Sequence, residues 1–321
     1  MAIRVVFMGT PEFSVASLNA IVKNGITLAG VVTAPDKPAG RGKKIQSPAV
    51  KEYALQHGIA PILQPTNLKS DEFLSQLKNL NADLFVVVAF RMLPEIVWTM
   101  PPMGTINLHA SLLPDYRGAA PINWVLINGE KITGATTFFI RHEIDTGHII
   151  DSCEVEISES DNAGSLHDKL MLSGAELLVK TIRAIESGTA KAIPQQSLSE
   201  GLNLHSAPKI FKENCQINWN QPAEKVNNFI RGLSPYPAAW TRFTSTEEET
   251  LDVKIFDAIA DYNQAIGAPG SIDYSIPGRI RICCSQGSIV VHSLQVAGKN
   301  KMDAASFLLG FHKKEKYSLA V

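Results

Sequence analysis

Cysteine is scarce in this chain, four in 321 residues, and none sits at the spacing of a zinc ribbon or a redox pair. That leaves no disulfide framework and no thiolate metal site; the adjacent Cys283 and Cys284 read as packing residues in a strand-like run. No apolar run approaches the roughly 18 residues of a membrane-spanning helix. Neither sign of charge dominates, with 30 Lys and Arg against 31 Asp and Glu, so any nucleic-acid partner must be held by a local basic patch. The glycines that let a backbone approach a pyrophosphate are missing from the first strand–helix turn, Gly9-Thr10-Pro11-Glu12-Phe13-Ser14, where Glu12 would repel phosphate. A nicotinamide dehydrogenase is therefore disfavoured. A phosphate-loop lysine motif and a Gly-x-Ser-x-Gly nucleophile elbow are also absent. His142-Glu143 followed by His148 has the second histidine two residues too late for a zinc helix, and no metal is expected.

What is present is a soluble globular composition, 45% hydrophobic and 19% charged, at a mass of 34.9 kDa that suits two domains. The opening Met1 to Gly9 reads as a strand rather than a signal peptide, and a reducing cytoplasm is the expected compartment. Short apolar runs alternate with helical patterns through the first half. Strands are expected at Ile3–Met8, Thr27–Thr33, Ala60–Leu63, Ala82–Phe90, Gly104–His109, Ala135–Ile140 and His148–Ile157. Helices are expected at Phe13–Lys23, Ser47–His57, Ser70–Leu77, Pro121–Ile127 and Ala163–Ser187. The pattern implies α/β architecture with a Rossmann-like, mostly parallel sheet. Polar, aperiodic residues follow, and then short β-like runs separated by Gly, Pro, Asn and Asp, as in a small OB-like β-barrel. The division is placed at a catalytic domain over 1–188, a linker over 189–205 and a C-terminal barrel over 206–321.

The stretch Ile106 to Ile122 carries the chemistry. Asn107 and His109, two apart on a strand, project from one face at its C-terminal end, where open α/β sheets bind ligands. An amide beside an imidazole suits a carbonyl oxygen that becomes negative during reaction. The same pair also serves simply to satisfy the turn that follows. Asp145, in the loop Arg141 to His148, is either an ordinary turn residue or, if that loop folds over His109, the group that orients the imidazole. Together the three make a site for acyl transfer to an amine without a covalent enzyme intermediate.

The run Asn107 to Ile122, with Asp145-Thr146-Gly147 downstream, resembles the signature of folate-dependent formyltransferases. Three further segments are similar to the branch that formylates methionyl initiator tRNA: Phe7 to Ser14, Pro35 to Lys44, and the tail Leu294-Gln295, Gly298-Lys299, Met302 and Phe307 to Gly310. The resemblance covers essentially the whole chain. It implies 10-formyltetrahydrofolate as formyl donor and charged initiator tRNA as acceptor, in support of translation initiation. It also implies Asn107, His109 and Asp145 as catalytic residues. Folate contacts are implied at Arg91, Met92, Leu93, Ser111, Leu112, Leu113 and Pro114, and along the loop 141–145.

The loop from Pro35 to Lys51 holds five basic residues against Asp36. The resemblance makes Arg41, Lys43 and Lys44 contacts for the tRNA acceptor stem, whereas a solvated basic loop needs no ligand at all. The barrel adds Lys209, Lys212, Arg231, Lys299 and Lys301 as lesser candidates, offset by the acidic run Glu247-Glu248-Glu249. Asp115 departs from the family, which often has a basic or neutral residue there. Two alternatives use the same trio, a formyltransferase acting on a small-molecule amine and a 10-formyltetrahydrofolate hydrolase. A non-catalytic RNA-binding module is a third reading, opposed by the intact trio. A monomer without membrane association is expected.

Overall fold

The computed structural model describes residues 2–39, 44–262, 267–311 and 317–319. Two compact units are present. The first comprises Met1–Gly118, Ile132–Glu156 and His167–Ser206, and the second Ala119–Lys131, Ile157–Leu166 and Ala207–Val321.

The first unit is built on a seven-stranded sheet. In chain order its elements are β1 (Arg4–Gly9), α1 (Glu12–Lys23), β2 (Thr27–Val32), the short pair β3 (Lys37–Ala39) and β4 (Lys44–Gln46), α2 (Ala49–Gln56), β5 (Ile62–Leu63), α3 (Asp71–Asn79), β6 (Leu84–Val88), α4 (Glu95–Trp98), β7 (Thr105–His109) and β8 (Arg117–Gly118). After α5 (Pro121–Ile127), which groups with the second unit, come β9 (Ile132–Phe139), β10 (Ile149–Glu156), α6 (Ala163–Glu186) and α7 (Gln196–Ser199). The sheet order is β10-β9-β7-β6-β1-β2-β5. From β5 to β7 every pairing is parallel; β9 and β10 add an antiparallel edge. The parallel strands are apolar because helices cover both faces, and all five residues of β6 are buried. Helix α1 turns Ser14, Ser17, Leu18 and Ile21 inward at the 3.6-residue period. Ser14 Oγ donates to the Val88 carbonyl at 2.7 Å, tying the start of α1 to the end of β6. Strands β1, β6 and β7 thus end together, and β7 delivers Asn107 and His109 to that edge.

The second unit is a curled antiparallel sheet, a half-barrel. After the two-residue β11 (Ser206–Ala207), which lies at the boundary of the units and outside this sheet, its elements are α8 (Ala223–Leu233), β12 (Ala239–Ser245), β13 (Thr250–Asp261), β14 (Ile272–Asp273), β15 (Ile280–Cys283), β16 (Ser288–Val296), β17 (Met302–Asp303), α9 (Ala304–Gly310) and β18 (Tyr317–Leu319). The strand path is β14-β15-β16-β13-β12-β18, with β17 on β16. Among the described residues no pairing joins β14 to β18. The core gathers Trp219, Ile217, Phe243, Val253, Ile255, Ile280, Ile289 and Leu294 beneath the apolar face of α8 (Ala223, Val226, Ile230, Leu233). The Trp219 indole N–H is satisfied by Thr241 Oγ1 at 3.0 Å, as burial of an indole requires. Cys284 belongs to this core, and burial pushes its thiol up to about 12.

Candidate active site

His109 closes β7 with its side chain buried. Its Nε2 lies 2.9 Å from the Tyr116 carbonyl oxygen. A carbonyl only accepts, so Nε2 carries the proton of that bond. The other ring nitrogen, Nδ1, faces Asp145 Oδ2 at 3.8 Å, just beyond hydrogen-bond length. The loop therefore does fold over the imidazole, across 36 positions of sequence. Asn107, in register with β6 Val87 on one side and β9 Phe138 on the other, is half-buried. Its side-chain amide makes no hydrogen bond among the described residues. Of the trio it is the group with unspent donors.

Asp145 adopts φ +54°, a left-handed conformation that costs a non-glycine residue on the order of 1 kcal/mol and that Asp tolerates better than most. The surroundings enforce it. Asp145 Oδ2 accepts from the Gly118 N–H at 3.1 Å, and the Asp145 carbonyl accepts from Gln195 Nε2 at 2.8 Å. Two residues on, a Cβ at Gly147 would stand 1.6 Å from the Phe139 carbonyl oxygen, so the return to β10 admits only glycine.

The turn after β7 is locked from inside. Ser111 Oγ donates to the Asp115 carbonyl at 2.7 Å; Thr136 Oγ1 donates to the Ser111 carbonyl at 2.6 Å and accepts from Leu113 N–H at 3.1 Å. Leu113 packs against Phe138 and Ile149, and its bond to Pro114 is cis. Ser111 and Leu113 thus turn their side chains into the protein, and Leu112 is half-buried. Leu93 likewise joins the core cluster with Val6, Phe73, Phe85 and Val97. Met92 is 70% exposed. The Arg91 guanidinium is engaged with the carbonyls of Pro65 and Thr66. Asp115 has a structural occupation: its Oδ1 accepts from the His205 N–H at 2.5 Å and from the Tyr116 N–H at 3.1 Å, while the Tyr116 and His205 rings stack at 5.1 Å.

A cleft of about 630 Å³ opens beside the Asp145 loop. Trp98, Ile140, Arg141, His142, Glu143, Thr146, His148, Arg117 and Gln195 are among its lining residues. Of the folate contacts implied by resemblance, its lining includes residues 141–143 of the loop but none of residues 91–93 or 111–114. Residues 141–148 form a loop rather than a helix, and no group of three or more His, Cys, Asp or Glu among the described residues is placed to hold a metal ion.

Of the basic residues, Arg41 and Lys43 lie outside the described residues, and Lys44 begins β4, which pairs antiparallel with β3. Lys51 is spent on Asp36 at 2.6 Å. Hydrogen bonds from Lys51, then from Gln64, hold the Asp36 carboxyl below its usual range. Gln195 is the participant that sequence reasoning passed over; its only signal was a glutamine in an otherwise featureless stretch.

A family model described as formyl transferase matches residues 2–182, and one described as formyl transferase, C-terminal domain, matches 209–312. A relative in Bacteroides fragilis named methionyl-tRNA formyltransferase is 50% identical over 317 residues, covering 99% of this chain and 98% of that protein. Among solved structures, WlaRD, a sugar 3N-formyl transferase crystallised with dTDP and 5-N-formyl-THF, superposes with TM-score 0.65 at 21% identity, covering 94% of this chain and all of that one. HypX from Aquifex aeolicus, solved with tetrahydrofolic acid, gives TM-score 0.64 at 17% identity over 98% of this chain and 48% of that one. At those identities the two structures share the fold.

Proposed function

The chain belongs to the formyl transferase family, and from that premise we propose that it moves the formyl group of 10-formyltetrahydrofolate to the α-amino group of methionyl initiator tRNA, supporting translation initiation. One observation carries the reading. Identity of 50% to a methionyl-tRNA formyltransferase extends over 99% of this chain, the C-terminal half-barrel included.

The cleft beside the Asp145 loop has the size of a small-molecule site. Trp98 and Ile140 offer it apolar surface, while Arg117, Arg141 and His142 offer polar and cationic groups. The folate supplies the formyl carbon, carried on N10. As the amine attacks that carbon, its oxygen gains negative charge, and the free Asn107 amide is the donor that meets it. His109 joins Asn107 by exchanging the Tyr116 carbonyl for the same oxygen. Asp145 holds the imidazole through the exchange and, through it or a bound water, takes the proton leaving the amine. The tetrahedral intermediate then collapses with cleavage of its C–N10 bond, and N10 departs carrying a proton as tetrahydrofolate. Ser111 to Pro114 contribute backbone groups at the strand end. Arg41, Lys43 and Lys44 hold acceptor-stem phosphates, with the half-barrel assisting through its surface lysines. The chain acts as a cytoplasmic monomer; none of its described helices is long and apolar enough to cross a membrane.

The test is an assay of the purified chain with 10-formyltetrahydrofolate and, in parallel, charged initiator tRNA, small amines including amino-sugar nucleotides, and water alone. Formyl product on the tRNA and little elsewhere is expected. Equal or faster transfer to a small amine, or release of formate to water, overturns the reading.

A further inference from the structure

The side chain of Gln195 is 2% exposed, in a stretch whose composition reads as linker. It makes four hydrogen bonds. Its Oε1 accepts from Arg117 Nε at 3.0 Å and Nη2 at 2.6 Å; its Nε2 donates to the Asp145 carbonyl at 2.8 Å and the Gly147 carbonyl at 2.7 Å. Two acceptor sites and two donor hydrogens are all that a primary amide possesses, and every one is used. The assignment of oxygen and nitrogen is forced, since a guanidinium only donates and a carbonyl only accepts.

These bonds close a circuit around the candidate trio. Arg117, gripped at one end of the amide, precedes Gly118, whose N–H donates to Asp145 Oδ2. Asp145 and Gly147, gripped at the other end, bracket the residue after the left-handed turn. The glutamine is itself anchored, because Ile193 and Ile149 exchange two backbone hydrogen bonds at 2.8 Å each. No other side chain of this length offers this pairing: asparagine carries the same amide one methylene shorter, a carboxylate would set two acceptors against two carbonyls, and a lysine would set a cation against a guanidinium.

We propose that Gln195 is a positioning residue for formyl transfer. It fixes the Asp145 loop so that the carboxylate stands over His109, and although it lines the cleft its amide, spent on four protein partners, has no hydrogen bond left for the formyl donor or the acceptor. The activity readout rests on the function proposed above; the loop readout does not.

Two full-length variants separate the bonds. Gln195→Glu retains acceptors for Arg117 and removes the donors to the loop, whereas Gln195→Met is of similar size and removes all four bonds. Displacing a reacting group by a fraction of an ångström to an ångström reaches a rate cost of about a hundredfold. Gln195→Glu is therefore expected to lower kcat about ten- to a hundredfold, with KM for charged tRNA within about twofold of native and circular dichroism unchanged. Amide hydrogen exchange of residues 141–148 is expected to accelerate in both variants, while that of β1 and β6 does not. In the native protein the Gln195 side-chain NH2 is expected to exchange at least about tenfold more slowly than that of exposed Gln196. Native kcat in a folded variant, a loss confined to KM, unchanged exchange of 141–148, or equal exchange at the two native glutamines each overturns the proposal. If the native chain transfers no formyl group, the function fails, and the exchange measurements still decide the role of Gln195.

Discussion

Asp145 Oδ2 lies 3.8 Å from His109 Nδ1 and 3.1 Å from the Gly118 amide nitrogen, so one carboxylate oxygen faces both an imidazole and a backbone donor. The two relations separate by mutation. Asp145→Asn retains an oxygen for the Gly118 N–H and loses the charge that faces the ring. If the carboxylate acts on His109, this variant melts within a few degrees of native while kcat falls on the order of a hundredfold. Steady-state kinetics beside calorimetry distinguish the cases. A native kcat makes Asp145 a loop anchor and nothing more.

Asn107 and His109 are proposed to serve the same oxygen, yet their removal is expected to leave different marks on stability. The Asn107 amide has no protein partner among the described residues, so Asn107→Ala orphans nothing. His109→Ala takes the 2.9 Å ring donor from the Tyr116 carbonyl in a buried setting and leaves it the longer 3.5 Å contact from Ser111 Oγ, at a cost of about 1 kcal/mol. Both variants should lose on the order of 100- to 1,000-fold in single-turnover rate. Only His109→Ala should also lower the denaturation midpoint. Near-native turnover in either variant removes that residue from the mechanism.

The basic segment makes a prediction about salt. Lys51 is held by Asp36, whose carboxyl is kept ionised by that bond, whereas Arg41 is proposed to meet phosphate. Arg41→Ala should raise KM for charged tRNA and flatten its dependence on salt concentration, with KM for the folate unchanged. A native salt dependence would take Arg41 out of the tRNA contact.

The parallel sheet was legible because its strands are buried on both faces: Leu84 to Val88 cannot be anything but a central strand, and Asn107 and His109 at the end of its neighbour follow from alternation. The convergence of Asp145 with His109 was visible as a possibility, and Gly147 was its local sign. The role of Gln195 was not legible, since all four bonds reach 48 to 78 positions along the chain and glutamine carries no periodicity. Helix α9 carried a local signal that went unread, Asp303 accepting from the Ser306 N–H at 2.8 Å as an N-cap. The pair β3–β4 consists of three-residue strands containing Lys and Pro, and nothing in such composition announces pairing.

Gly232 exposes a packing constraint that composition hides. Helix α5 packs on α8 within the second unit, and Asn123 Nδ2 donates to the Gly232 carbonyl at 2.7 Å. A Cβ at 232 would stand 2.7 Å from Ile127 Cγ1 and 3.0 Å from the Ile127 backbone nitrogen. Alanine in a helix gains up to about 1 kcal/mol over glycine, but overpacking against backbone costs about 1–3 kcal/mol, so the clash wins. Gly232→Ala is expected to lower the denaturant midpoint. Gly310→Ala at the end of α9, where no atom lies within 4 Å and no left-handed backbone is required, should leave it unchanged or raise it. Equal or opposite responses would mean that α5 and α8 separate easily enough to absorb a methyl group, and that the close approach at Gly232 does not fix their packing.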